Sequence, residues 1–241
     1  MIRIKDLRMY FGRHKVLDGI NLEIGRGETV VVLGRSGVGK SVLLKCIVGL
    51  LKPTSGEVWV EDVRVDTASW DVLSRLRKKF GYVFQGAALF DWMTVLENVM
   101  LPLREMGVEY EEAKRRAIQS LNHVGLKGSY GKYPSELSGG MRKRVGIARA
   151  IVVNPAYLFY DEPTSGLDPQ TSRMIYDLMQ TLDEELDATT VIISHDVVLA
   201  KRFGRRVVYL DDGRIEYDGP FEHAHRSPKF MEFLGEHVHL L

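Results

Sequence analysis

The sequence predicts an α/β fold: a mostly parallel sheet, a separate small β-rich sheet at the front of the chain, and a helical segment inserted into the core. Three observations carry this. The runs "TVVVLG", "AYLFY" and "TTVIIS" are apolar, of strand length, and of the kind buried on both faces of a parallel sheet. Segments with helical periodicity alternate with them. From Thr94 to Asn154 the pattern is mostly helical, with "YEEAKRRAIQSLNHV" strongly amphipathic. The insertion therefore spans roughly residues 90 to 154 of a single 1–241 domain.

The elements follow in chain order. "MIRIKDLRMYFGRHKVLDGINLEIGRGETVVVLG" reads as short β segments broken by glycine. "SVLLKCIVGLL" is helical and is expected to stop at Lys52-Pro53. "SGEVWVEDVRV" returns to β, "SWDVLSRLRKK" to helix and "FGYVFQ" to strand. After the helical region comes the buried strand "AYLFYDEP", ending in two acids. "PQTSRMIYDLMQTLDEEL" is a helix with proline in its first turn. "TTVIISHD" and "RRVVYLDDGRIEYDG" are strands, the second a hairpin around Asp212-Gly213.

Composition narrows the function classes. Lys plus Arg number 33 and Asp plus Glu 32, a net charge of +1, so no global basic field argues for nucleic acid. The lone cysteine, Cys46, excludes an internal disulfide and fits a reducing compartment. The start, "MIRIKDLRMYFGR", is too charged for a secretory signal. No apolar run approaches the roughly 18 residues of a spanning helix. The expectation is a chain soluble by itself that docks on a membrane protein.

The first site is a phosphate cradle. Gly34-x-x-x-x-Gly39-Lys40-Ser41 lies between a buried strand and a helix, the context that a P-loop requires. Gly34, Gly37 and Gly39 let backbone N–H groups turn inward, and Arg35, Ser36 and Val38 complete the loop. Lys40 supplies a point charge to the β and γ phosphates of a nucleotide, and the Ser41 hydroxyl is a ligand for Mg²⁺.

Hydrolysis is signalled elsewhere. Asp161 ends the strand "YLFYD", where ligands of parallel sheets gather, and is placed to hold Mg²⁺ through water. Glu162, one residue on, is placed to polarise a water for attack on the γ-phosphate. His195 follows "TTVIIS" and Gln85 ends "FGYVFQ" in the same manner; the histidine reaches for the γ-phosphate or the water, the amide for Mg²⁺ and water. A further helix start, "LSGGM", sets Ser138, Gly139 and Gly140 before the basic run Arg142-Lys143-Arg144, which reads as a solvated helix face with Arg144 nearer the nucleotide. A helix start of this kind offers N–H groups and a positive dipole end to an anion.

The ordered set "GRSGVGKS", "FQ", "LSGGM", "YLFYDEPTSGLD" and "ISHD" resembles the ATP-binding subunit of ABC transporters, over essentially the whole chain. The resemblance implies a P-loop NTPase (ABC ATPase) core with a small antiparallel β subdomain and an inserted helical subdomain. It implies ATP and Mg²⁺ as cofactors and a head-to-tail homodimer, in which Ser138, Gly139 and Gly140 serve the partner's ATP. It implies Asp161 as the magnesium aspartate, Glu162 as the catalytic glutamate and His195 as the switch histidine. Phe11 resembles the aromatic that stacks on adenine, with Tyr10 as runner-up and packing of the β sheet as the alternative for both. Residues 165–168, "SGLD", resemble the loop that contacts the partner's P-loop. Met141 departs from the commonest signature, which has glutamine there; the serine hydroxyl and glycine N–H groups remain, so activity is expected to persist.

The resemblance also implies separate integral membrane permease subunits and a peripheral place on the cytoplasmic face of a bacterial inner membrane. Residues 86–105, "GAALFDWMTVLENVMLPLRE", lie where such subunits meet the permease; Leu89, Phe90, Trp92 and Met93 are read equally as interface or as packing of the helical lobe. With "LSGGM", this stretch resembles the ATPases of MCE-linked (Mla-type) phospholipid transport, which adds an MCE-domain lipid-binding protein as a partner. Lipoprotein release, amino-acid or ion uptake, and iron–sulfur assembly are the alternatives.

Overall fold

The computed structural model describes residues 1–235. Its elements begin with β1 (Ile2–Phe11), β2 (His14–Ile24), β3 (Thr29–Leu33), α1 (Lys40–Ile47), β4 (Ser55–Val60), β5 (Val63–Arg64), α2 (Trp70–Arg77), β6 (Phe80–Val83) and α3 (Val95–Glu105). They continue with α4 (Tyr110–His123), α5 (Gly139–Ile151), β7 (Tyr157–Asp161), α6 (Pro169–Glu185), β8 (Thr189–Ser194), α7 (Val197–Arg202), β9 (Val207–Asp211), β10 (Arg214–Gly219) and α8 (Pro228–Gly235). The chain forms two compact units, one from residues 1–77 with 189 onward, the other from residues 78–188.

The first unit holds two sheets. One is antiparallel, in the order β2-β1-β4-β5. The short segments expected at the front are instead two long strands of 10 and 11 residues. Register shifts between Ile4 and Leu7, and between Met9 and Tyr10, absorb the irregular positions. Asp6 at φ +43 and Gly19 at φ +77 thus sit inside paired strands, as bulges permit, rather than ending them. In the other sheet β3 runs parallel to both β8 and β9, and β10 pairs antiparallel with β9. Asp212 and Gly213, at φ +43 and +71, make the tight turn of that hairpin. Val30, Val31, Val191, Ile192, Val207 and Val208 are buried, as the apolar runs require.

Helix α1 ends at Ile47, short of the expected Pro53. Gly49 ends it: the chain turns left-handed there, φ +71, and the N–H groups of Leu50 and Leu51 fold back on the Lys45 carbonyl at 2.8 and 3.1 Å.

In the second unit β6 and β7 are parallel, with the Phe80 ring edge-on to Tyr157 and Phe159. Helix α5 passes close over β6; a Cβ on Gly81 would lie 2.5 Å from the Ala150 carbonyl oxygen. The helices begin on strong caps. Thr94 and Glu97 form a reciprocal capping box on α3, Ser138 caps α5, and Asp168 caps α6 ahead of Pro169. Helices α3, α4 and α5 lie within residues 90–154, and the compact unit around them also takes in β6, β7 and α6.

Candidate nucleotide and hydrolysis site

The P-loop glycines serve three different physical needs. A Cβ on Gly34 would lie 2.4 Å from the Leu210 carbonyl oxygen, so the loop's first residue presses against β9. A Cβ on Gly39 would lie 2.9 Å from the Val16 carbonyl oxygen on β2, and its φ of +105 disfavours any side chain. Gly37 has open space around it but a φ of +82. The loop is thus pinned at both ends by close packing and bent in the middle by left-handed backbone. The residue that precedes α1, Gly39, has no side chain to cap the helix N-terminus. The buried Lys40 donates from Nζ to the carbonyls of Gly34 and Arg35 at 2.8 and 3.0 Å, which places its ammonium across the loop. Arg35, Ser36 and Gly37 are exposed, and Val38 and Ser41 half-buried. This cradle fits a polyphosphate on its own geometry.

Two further residues of this unit were expected near the nucleotide. Phe11 is 49% exposed at the tip of β1, before Gly12. Tyr10 is half-buried, its N–H held by the Thr54 hydroxyl at 3.0 Å. Of the two, Phe11 is the ring presented to solvent. His195 is exposed immediately after β8. It stands between Ser194, whose hydroxyl accepts from the Asp196 N–H, and Asp196, whose carboxylate caps α7 at the N–H groups of Val198 and Leu199. Both of its neighbours are therefore fixed.

The second unit gathers the acids and the amide. Asp161 is buried at the end of β7 and accepts from the Tyr82 hydroxyl at 3.1 Å. Burial, and then the Asp161 carboxylate, raise the Tyr82 phenol well above its ordinary value, so it stays a donor. Glu162 is 8% exposed and holds φ +48, an uncommon conformation for a residue with a side chain. The Gln85 amide donates to the Ser165 hydroxyl at 3.3 Å, bringing "FQ" to "SGLD".

The basic run is not a uniformly solvated face. Arg142 is exposed and donates to the Leu137 carbonyl, while Arg144 reaches the carbonyls of Val124 and Gly125. Lys143 is buried and donates from Nζ to the main-chain carbonyls of Gln85 and Glu162. Burial lowers its pKa, against the opposing fields of Glu162 and Asp161. The sequence did carry a signal: Lys143 lies one helical turn beyond Gly139 and Gly140 and one turn before Gly146 and Ile147, on the side that α5 buries. Tyr82 carried none, because its partner is 79 residues away.

At the start of α5 the exposed Ser138 accepts the Met141 N–H at 3.3 Å. Its two glycines differ. A Cβ on Gly139 would meet Leu167 Cδ2 at 3.2 Å, whereas one on Gly140 would lie 2.4 Å from Thr171 Cγ2. Gly140 is therefore required by packing against α6, whatever it does for a ligand.

The family described as "ABC transporter" matches residues 17–165. The methionine import ATP-binding protein MetN of Carboxydothermus hydrogenoformans is 46% identical over 222 residues, 91% of this chain and 66% of that protein. The chain spans about two thirds or less of the methionine import proteins that it matches, 62% in Brucella abortus. The glutamine transport ATP-binding protein GlnQ of Escherichia coli is 43% identical, covering 99% of this chain and all of GlnQ. Among solved structures, the dimeric post-hydrolysis state of the ATP-binding cassette MJ0796 bound to ADP and Pi superposes with a TM-score of 0.84 at 37% identity, over 91% of this chain and 98% of that one. The relatives named here are amino-acid transport proteins, so the Mla-type assignment gains no support from them. With its ABC ATPase fold, its P-loop and the acids Asp161 and Glu162 at the end of β7, this chain belongs to the ABC transporter family.

Proposed function

We propose that the chain binds ATP with Mg²⁺ and hydrolyses it as the energising subunit of a multi-subunit transporter. The observation that carries this is the pair Asp161–Glu162: a buried aspartate oriented by a tyrosine hydroxyl, followed by a glutamate in left-handed backbone. Left-handed backbone at the residue that follows a buried aspartate is the outlier that motivates this reading. In this reading the loop from Gly34 to Ser41 wraps the phosphates, Lys40 neutralises them, and Phe11 stacks on the base. Ser41, Asp161 and Gln85 would hold Mg²⁺, which would supply Lewis-acid withdrawal of charge from the phosphoryl oxygens. The Glu162 carboxylate takes the proton of the attacking water, and His195 steadies the terminal phosphate. Ser138 and the N–H groups of Gly139 and Gly140 serve ATP held by a second copy, in a head-to-tail homodimer. The solved relative described as dimeric with ADP and Pi supports that arrangement.

The chain has no helix among its described residues long and apolar enough to cross a membrane. Separate permease subunits, and a peripheral place on the cytoplasmic face of the inner membrane, belong to the proposal. The surface for them is the loop before α3. Buried Asn98 pins it, accepting the Phe90 N–H and donating to the carbonyls of Phe90, Met93 and Thr94. Trp92 then stands 74% exposed beside Phe90, so this loop has its backbone locked and an apolar ring turned outward. That favours interface over internal packing.

Amino-acid uptake is the cargo reading supported by MetN and GlnQ. Phospholipid movement, with an MCE-domain partner, rests on the narrower observation of "LSGGM" together with residues 86–105. The test has two arms. Hydrolysis by the full chain should need Mg²⁺ and fall at least roughly a hundred-fold in Glu162→Gln, with ATP still bound. Lys40→Ala should weaken ATP binding about ten- to a hundred-fold, the loss of a charge-assisted phosphate contact. Wild-type turnover in Glu162→Gln would remove the base assignment. For the cargo, the chain is purified with its membrane partners and reconstituted in vesicles. Movement of labelled methionine or glutamine, against movement of a labelled phospholipid, decides between the two readings.

A further inference from the structure

Helix α5 carries more than the Ser138 cap. Two of its residues hold the segment after β6 by its backbone, and a third lets the helix approach it. Lys143 donates to the Gln85 carbonyl, and Arg149 donates to the carbonyls of Ala88 and Ala87 at 2.7 and 2.6 Å. Gly146 lets the helix approach so closely that its would-be Cβ lies 3.3 Å from Ala87 Cβ. Ala87 and Ala88 both have positive φ, +60 and +46, which alanine disfavours; the buried Arg149 guanidinium holds both of their carbonyls in place.

Lys143 is distinguished from Arg149 by an acceptor outside that segment. Its Nζ also reaches the Glu162 carbonyl at 3.2 Å. The two carbonyls belong to residues just past the C-terminal ends of the parallel neighbours β6 and β7. Both acceptors are main-chain oxygens rather than the Gln85 amide or the Glu162 carboxylate. The main-chain oxygen of Glu162 is fixed at the one residue of the pair whose backbone is left-handed. An ammonium has three donors and no preferred plane, so it suits two carbonyls arriving from different strands.

We propose that Lys143 is a positioning residue for hydrolysis: it ties the main chains of Gln85 and Glu162 together from α5, and so sets the direction of the Glu162 carboxylate relative to the Gln85 amide. The proposal rests on the reading of Glu162 as the base. Lys143 touches neither nucleotide nor water in this scheme; it acts through Glu162 and Gln85.

The test compares Lys143→Met, which keeps an unbranched stem and removes the donors, with Lys143→Gln, which keeps a shorter donor. In the full chain, Lys143→Met should lower kcat for ATP about tenfold or more, the scale on which misplacement of a catalytic group acts. Binding of ATP to the same protein should stay within about twofold, since the P-loop lies in the other unit. Lys143→Gln should recover part of the rate. In a Glu162→Gln background, Lys143→Met should cost no more than about twofold further, because the group that it positions is gone. Three results overturn the proposal: Lys143→Met turning over as wild type, Lys143→Gln no better than Lys143→Met, or a full additional loss in the double variant. A joint loss of ATP affinity and kcat would also overturn it, as general damage to the fold. Failure of the underlying reading looks different: Glu162→Gln alone would then hydrolyse ATP at the wild-type rate.

Discussion

The Tyr82 hydroxyl donates to Oδ2 of Asp161 across 3.1 Å, from one parallel strand to the next. Asp161 is the residue that we assign to Mg²⁺, and a donor on one oxygen fixes which oxygen is presented to the ion. Tyr82→Phe keeps the ring and removes only the donor. The Mg²⁺ concentration for half-maximal hydrolysis should rise about tenfold, the low end for loss of a partner behind a metal ligand. ATP hydrolysis titrated against Mg²⁺ reads this. An unchanged midpoint would mean that the hydroxyl merely satisfies a buried carboxylate.

The signature helix is assigned to the partner's nucleotide, and complementation between chains tests that. A Lys40→Ala chain keeps Ser138, and a Ser138→Arg chain keeps its P-loop. In a mixed dimer one composite site has two sound halves and the other has two damaged ones. With Glu162→Gln in both chains to stop turnover, the mixture should trap ATP at one site per dimer and neither homodimer should trap any. Nucleotide counts on tagged heterodimers at high protein concentration measure this. Equal trapping by the Ser138→Arg homodimer would remove α5 from the ATP site.

Gly140 offers a prediction about stability that is separate from nucleotide. Its would-be Cβ collides with Thr171 Cγ2 at 2.4 Å, so Gly140→Ala should cost about 1–3 kcal/mol, as overpacking does. Thr171→Ser removes that methyl and keeps the hydroxyl that donates to Asp168 at 2.6 Å. The double variant Gly140→Ala with Thr171→Ser should therefore regain most of the loss in urea unfolding. Gly139→Ala meets only Leu167 Cδ2, at 3.2 Å, and should cost less. Equal losses at the two glycines would show that helix packing is not what distinguishes them.

Thr94 and Glu97 predict a pH dependence. The backbone N–H and then the hydroxyl of Thr94 lower the Glu97 pKa from 4.5. The folded state thus prefers the ionised carboxylate. Its contribution is full above the ordinary carboxylate range and is lost as pH falls through the depressed folded value. Thr94→Ala should destabilise by about 1 kcal/mol at neutral pH. Glu97→Gln should be less stable than wild type near neutrality, and the gap should narrow on acidification below the usual glutamate pKa. Denaturant midpoints measured across that range decide it; a gap that widens in acid would contradict the capping role.

Much of this protein is legible without its fold. Gly34 to Ser41 stand between an apolar run and a helical period, and "YLFYDE" ends a buried run in two acids; such signals depend on neighbours within a few residues. Asp212-Gly213 marks its own hairpin in the same way. The sequence alone determined the buried parallel strands, the phosphate loop and the identity of the candidate base. Tertiary structure decided the remainder. Gly49 ended α1 early, bulges joined short β segments into long strands, and Lys143, in a run that looks solvated, was buried. Gln85 met Ser165 and Tyr82 met Asp161 across 80 and 79 residues. The physical reason is the range of the forces: periodicity and capping are settled within one or two helical turns, whereas burial of a charge and the pairing of distant polar groups depend on which faces the packed chain brings together.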